Sequence, residues 1–294
     1  MGARDFLTDA TGPSTVGGDA RLFEMNQRDF DRVRRIIFDL AGIDLNASKQ
    51  NMVYSRLSRR LRARRIDSFA DYLDRLEGDP QFTAQERQEF VNALTTNLTA
   101  FFREQHHFPV FAEFLGRGMA GRPARIWCAA ASTGEEPYSI AMTMIEALGE
   151  NTSARILATD IDTRVLQSAG RGVYREDTAQ ACGAQRMRRF FLRGTGSNAG
   201  MVRMRPEVAR LIEFGQLNLL EPDWPLLKRF GQPLDAVFCR NVMIYFNRAT
   251  QRVVLQRIAS ALRPGGLLFA GHSENFTDCR EWFALRGKTV YERL

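Results

Sequence analysis

Between positions 26 and about 97 the apolar residues recur with helical spacing. Phe30, Val33, Ile36, Ile37 and Leu40 fall on one face of a 3.6-residue repeat, which Gly42 stops. A second helix is expected over about 47–65, with Val53, Leu57 and Leu61 as its buried stripe and Tyr54 beside them. Phe69, Tyr72, Leu73 and Leu76 mark a third, ended by Gly78-Asp79-Pro80. A fourth is expected over about 83–95, opened by a capping box between Thr83 and Glu86. This stretch predicts a small all-helical domain at 21–95, followed by a linker and helix at 96–121.

From about 122 the pattern changes. Short apolar runs at 124–129, 154–159, 234–240 and 267–271 alternate with helical patterns at 135–148, 163–169 and 248–262. Such alternation implies an α/β domain with a parallel sheet, whose ligands bind at the carboxyl ends of the strands. It is interrupted at about 183–216. There a turn-rich run from Arg193 to Gly200 precedes a strand at 201–204, and 211–214 reads as another short strand, so a small β-subdomain is expected. The α/β domain then occupies 122–294. Residues 1–20 lack an apolar signal core and read as a flexible tail.

Composition narrows the class. A chain of 294 residues suits two domains. No apolar run approaches the roughly 20 residues that span a bilayer. Cys128, Cys182, Cys239 and Cys279 are widely spaced and form no CxxC pair, so buried free thiols in a reducing, cytoplasmic compartment are expected, with no metal site. The net charge of +7 favours acidic partners without choosing among nucleic acid, anionic membrane and acidic protein.

The first strand runs into Ala129-Ala130-Ala131-Ser132-Thr133-Gly134-Glu135-Glu136-Pro137, where small residues allow close backbone approach to a ligand at a helix start. Glu136 lies three residues after Thr133 and reads as a capping box, leaving Glu135 as the better ligand candidate. Asp160, at the tip of the second strand, is placed to bind a ribose, with Asp162 as the cap of the next helix. These features tolerate a dinucleotide or S-adenosylmethionine. The missing Gly-rich pyrophosphate loop favours the latter, whose sulfonium and amino group suit acidic and carbonyl oxygens.

Five ordered segments then resemble the bacterial chemotaxis receptor glutamate methyltransferases, the CheR family. They are Thr95-Thr96-Asn97-Leu98-Thr99-Ala100-Phe101-Phe102-Arg103-Glu104, the stretch from Trp127 to Tyr138, that from Ala158 to Asp162, Cys239-Arg240-Asn241-Val242-Met243-Ile244-Tyr245-Phe246, and Gly265-Gly266-Leu267-Leu268-Phe269-Ala270-Gly271-His272-Ser273-Glu274. The resemblance implies an S-adenosylmethionine-dependent, Rossmann-like methyltransferase domain with its β-subdomain, behind a helical N-terminal domain. It puts Asn97, Thr99, Arg103, Glu135, Asp160, Asn218, Leu219, Arg240 and Asn241 at the cofactor. The implied reaction is methyl esterification of glutamate side chains, with S-adenosylhomocysteine as product. A carboxylate is already ionised near neutral pH, so no general base is needed, and His106, His107 and His272 are expected to be structural or solvent-facing. Arg103 and Tyr245 are the catalytic candidates, one pairing with a carboxylate, the other placing its hydroxyl or ring near the methyl group.

Lys49, Arg56, Arg59, Arg60, Arg62, Arg64 and Arg65 lie within 17 positions that hold no acid. Lys49, Arg56, Arg59 and Arg60 share a face, and Arg56, Arg59 and Arg60 are expected to dock acidic receptor helices, while Arg64 projects onto the apolar stripe, as if the helix ended or bent before it. A basic helix also suits phosphates, which keeps a nucleic-acid methyltransferase as the alternative. Against it, Asn241-Val242-Met243-Ile244 lacks the Pro-Pro-aromatic that follows this strand in amino-methylating DNA enzymes. The resemblance implies as partners the cytoplasmic helices of methyl-accepting chemoreceptors, and also their C-terminal tail peptide, paired on the β-subdomain near Gly194-Thr195-Gly196. A monomer without membrane insertion is expected.

Overall fold

The computed structural model describes residues 23–117 and 122–294; the tail expected at 1–20 lies outside them. The first unit holds α1 (Gln27–Ala41), α2 (Gln50–Arg64), α3 (Phe69–Gly78) and α4 (Pro80–Leu94). Asn26 and Asp29 cap α1 reciprocally, and Gly42 ends it in the left-handed region. Phe30, Ile37, Val53, Leu57, Leu61 and Phe90 fill the shared core. The helix expected at 83 starts at Pro80, because Asp79 accepts from Gln81 N and Phe82 N as its N-cap.

Glu86 is therefore not a cap. It is fully buried, and its carboxylate accepts from Arg60 at 2.7 and 2.8 Å, from Arg64 at 2.5 Å and from the Tyr72 hydroxyl at 3.0 Å. Arg64 is the last residue of α2, so the helix ends at it and not before it, and its side chain reaches this carboxylate. Burial alone would raise the Glu86 pKa, but the two arginines hold it below the ordinary value. Glu86→Gln is expected to cost about 3 kcal/mol, because it leaves Arg64 without its anion and Arg60 with Glu89 alone. The carboxylate's stabilisation is present above the unfolded pKa near 4.3 and lost as pH falls through the depressed folded value. Urea unfolding at neutral and acid pH checks both points: the gap between wild type and variant should narrow in acid.

After α5 (His107–Gly116), the second unit runs β1 (Arg125–Cys128), α6 (Glu135–Leu148), β2 (Arg155–Asp160) and α7 (Thr163–Arg171). The insert follows as β3 (Val173–Arg175), α8 (Glu176–Ala179), α9 (Ala184–Phe190), β4 (Phe191–Arg193) and β5 (Met201–Met204). The chain continues through α10 (Pro206–Ala209), β6 (Ile212–Gln216), α11 (Pro225–Phe230), β7 (Leu234–Cys239), α12 (Arg248–Ala261), β8 (Leu262–Ala270), β9 (Phe283–Gly287) and β10 (Val290–Arg293).

The main sheet has seven strands in the order β6-β2-β1-β7-β8-β10-β9. Its first five are mutually parallel, and β10 lies antiparallel between β8 and β9. This is a doubly covered α/β sheet: Phe238 and Phe269 stack in the core on one face, Trp127 and Leu268 pack on the other. The insert is a separate antiparallel sheet, β3-β5-β4. It begins at Val173, ten residues before the expected start. The strand expected at 211–214 is not part of it: β6 pairs parallel with β2, from Ile156 opposite Ile212 to Asp160 opposite Gln216. Among the described residues no helix is long and apolar enough to cross a membrane.

The helical unit sits over the strand ends. Asp44 N donates to Tyr245 O at 2.8 Å, Asn92 Nδ2 donates to Thr163 Oγ1 at 3.0 Å, and Gln88 Nε2 donates to Ile161 O at 2.9 Å.

Candidate active site

A cavity of about 370 Å³ lies at the carboxyl ends of β1, β2, β6 and β7. The end of α1, the segment before α2 and the linker after α4 close its other side, through Ala41, Leu45, Asn46 and Leu94 to Thr99. Asn97, Thr99, Arg103, Asp160, Asn218, Leu219, Arg240, Asn241 and Tyr245 all line it. Asp160, Asn218, Leu219, Arg240 and Asn241 are brought together because their parallel strands end at one edge, and Asn97, Thr99 and Arg103 reach the same cavity from the linker.

Glu135 is not among the lining residues, whereas Glu136 is. The Glu135 carboxylate accepts from the Thr133 hydroxyl at 2.6 Å, behind the cavity wall, and burial pushes its pKa up. Glu136 does not cap α6. That position belongs to Gly134, at φ +101°, where a Cβ would also lie 2.6 Å from the Tyr174 hydroxyl. The glycine therefore answers to local backbone and packing. Glu136 turns inward instead, and Arg240 Nη1 donates to its Oε2 at 2.7 Å. Burial raises its pKa against the opposing pull of Arg240.

Asp160 accepts from Ser132 N at 2.8 Å and from Asp162 N at 3.0 Å. Burial pushes its carboxyl up to about 6 despite these N–H donors. Asp162 caps α7 through Oδ1, as expected. It also does more: Oδ2 accepts from the Thr95 hydroxyl at 2.7 Å and from Asn97 Nδ2 at 2.8 Å, tying the linker to the end of β2. That second job is invisible in a local spacing. The Asn218 amide, which the resemblance puts at the cofactor, is engaged at both ends within the fold: Nδ2 donates to Leu40 O at 2.9 Å and Oδ1 accepts from Leu220 N at 3.0 Å. It keeps one further donor and one further lone pair.

Arg103 is half-buried and donates to Leu98 O at 2.9 Å, so most of its five N–H groups remain available. Its neighbour Glu104 turns away, its Oε1 accepting from Asn241 Nδ2 at 3.4 Å and from His272 N at 3.1 Å. Phe102, Glu104, Ser132 and Asn241 all adopt positive φ between +48° and +58°, so strained backbone is concentrated around this cavity. His107 is fully buried, and burial together with Arg240 pushes its pKa down to about 4. Glu104, His106 and His107 present ligand atoms within 4.8 Å of one another, but Arg240 stands 3.5 Å from the same carboxylate and opposes a cation there. All four cysteines are free and buried.

Of the expected docking residues, Arg59 is exposed. Arg56 and Arg60 are turned into the domain: Arg56 donates to Thr95 O at 2.5 Å, and Arg60 holds Glu86. The helical period puts all three on one face, but long guanidinium arms fold back onto carbonyls and a carboxylate that the period does not show.

The donor set suits an adenosyl amino acid. Asp160 stands at the tip of β2, a position from which an acid can accept from ribose hydroxyls, amides line the walls, and Ala129, Ile161, Leu217 and Phe246 supply apolar surface. Residues 97–292 match the "CheR methyltransferase, SAM binding domain" and residues 28–95 the "CheR methyltransferase, all-alpha domain". Chemotaxis protein methyltransferase 2 of Pseudomonas aeruginosa is 52% identical over 281 residues, covering 95% of this chain and 97% of the relative. The chemotaxis protein methyltransferase of Klebsiella aerogenes is 51% identical over 279 residues (95% and 93% covered), and that of Escherichia coli 47% over 288 residues (96% and 98%). With both domains matched in order and a cavity built between them, this chain belongs to the CheR methyltransferase family and carries its S-adenosylmethionine-binding domain.

Proposed function

We propose that the chain methylates glutamate side-chain carboxylates on the cytoplasmic helices of methyl-accepting chemoreceptors, giving glutamate methyl ester and S-adenosylhomocysteine. The observation that carries this is the available Arg103 guanidinium on the wall it shares with Tyr245, since a fork of N–H donors is complementary to an incoming carboxylate. S-adenosylmethionine, when bound, supplies an electrophilic methyl group on its sulfonium. Asp160 holds the ribose, and the Asn97–Arg103 linker, pinned by Asp162, closes over the cofactor. Arg103 orients the acceptor carboxylate, Tyr245 flanks the methyl group, and the roof formed by the helical unit excludes water. Arg59 on α2 contributes to docking of the acidic receptor helix. The β-insert, in which β3 and β4 are the edge strands among the described residues, receives a receptor tail peptide by edge pairing.

The test is methyl transfer from labelled S-adenosylmethionine to a receptor cytoplasmic fragment in the cytoplasmic pH range. The label should be released as methanol by mild base and should be absent when the acceptor glutamates are replaced by glutamine. Base-stable label, or transfer to RNA in preference to the fragment, overturns the proposal. Arg103→Ala should lower kcat/KM by roughly tenfold or more at an unchanged thermal midpoint. Near-normal turnover would remove it from the site.

A further inference from the structure

The loop after β7 carries Arg240, Asn241 and Tyr245 on the cavity wall, and it reverses direction sharply. Asn241 sits at φ +58°, and a tight turn over Met243–Tyr245 follows at once. Beneath it lies Glu274, 4% exposed, on the turn that follows β8. Glu274 Oε2 accepts from Gly271 N at 2.5 Å and from Asn241 N at 3.0 Å, and Oε1 accepts from Met243 N at 2.8 Å. The two loops nest so closely that a Cβ on Gly271 would lie 2.3 Å from Asn241 Nδ2 and 2.9 Å from Glu274 Oε2. An ionised carboxylate accepts on both oxygens and answers three convergent N–H groups. Glutamine would turn an NH₂ donor toward at least one of them.

We propose that Glu274, which does not itself line the cavity, is a positioning residue for methyl transfer: its buried carboxylate sets the loop so that Arg240, Asn241 and Tyr245 face the cofactor and acceptor. The proposal rests on the function proposed above, and it separates Glu274 from an acid that merely supports the fold. Asp235 provides the comparison. It is fully buried at the opposite end of β7, where it accepts from Arg125 N at 2.9 Å and pairs with Arg122 and Arg263.

The experiment compares Glu274→Gln and Asp235→Asn in the full chain by thermal midpoint, by calorimetric titration with S-adenosylhomocysteine, and by kcat and KM on a receptor fragment. Both variants should lower the midpoint. Only Glu274→Gln should weaken S-adenosylhomocysteine binding and reduce kcat, each by about tenfold or more. Wild-type affinity and kcat in Glu274→Gln, or equal losses in both variants, overturns the proposal. Should Glu274→Gln fail to fold, Glu274→Asp keeps the charge, shortens the arm by one methylene and is judged by the same criteria. A wild-type chain that binds S-adenosylhomocysteine without methylating the fragment would refute the function, while the affinity comparison would still decide the role of Glu274.

Discussion

Replacing Arg240 with methionine is expected to lower the thermal midpoint by on the order of 10 °C and to abolish measurable S-adenosylhomocysteine binding. The Arg240 side chain is 1% exposed. It holds Glu136 at 2.7 Å, donates to the main-chain oxygen of Arg103 at 2.5 Å, and stands 3.5 Å from Glu104. Removing it leaves Glu136 as a buried acid without its cation, a loss of about 3–5 kcal/mol in comparable pairs. It also frees the linker that carries Arg103. The two effects can be separated with Glu136→Leu added to Arg240→Met. The double variant removes the Glu136 charge but leaves Glu104 without the nearby cation, so part of the midpoint should return. S-adenosylhomocysteine binding should not, because the Arg103 carbonyl still lacks its donor. Circular dichroism melts and calorimetry on the wild type and the two variants check this. Restored binding in the double variant would show that Arg240 serves only to neutralise Glu136.

The Glu136 case also shows where sequence reasoning stops. Thr133 and Glu136 are spaced as a capping box, and so are Thr83 and Glu86; in both pairs the glutamate leaves the helix end and answers an arginine 22 to 104 residues away. Spacing of three is a local statement, and a buried long-range guanidinium outweighs it. Asp162 was legible as a cap because that bond is local. Its grip on Thr95 and Asn97 was not, because it spans 65 to 67 residues. The alternation of strands and helices revealed the sheet and the edge where ligands bind. It misplaced 211–214, since a short amphipathic strand after a turn-rich run looks the same as a hairpin arm or as the edge of a parallel sheet. The β9–β10 hairpin escaped because its turn uses Lys288 and Thr289 at positive φ, without the Asn-Gly signal. The cavity residues were legible mostly through the family's ordered segments, and Glu274 was present in one of them with nothing in the spacing to say what it binds.

The affinity for S-adenosylhomocysteine should depend on pH through Asp160. Burial raises this carboxyl to about 6 in the cofactor-free protein, although Ser132 N and Asp162 N donate to it. An unfolded aspartate titrates near 3.9. The folded value is the higher one, so Asp160 favours the fold below the unfolded pKa, and that contribution is lost as pH rises through about 6. Cofactor binding runs the other way. On the proposed reading, ribose hydroxyls would donate to the ionised carboxylate, so the competent fraction should grow with pH and saturate above about 7. With a pKa of about 6, binding at pH 5 should be about tenfold weaker than at pH 7. Calorimetric titrations between pH 5 and 8 check the slope. Asp160→Asn should bind weakly at every pH and flatten the profile, which distinguishes Asp160 from any other group titrating in the range. A wild-type profile flat down to pH 5 would mean that the carboxylate does not contact the ligand, or that the ligand is held by the neutral acid. The same burial that makes the ionised Asp160 costly in the empty protein strengthens its hydrogen bonds once the hydroxyls arrive, because both then lie out of water.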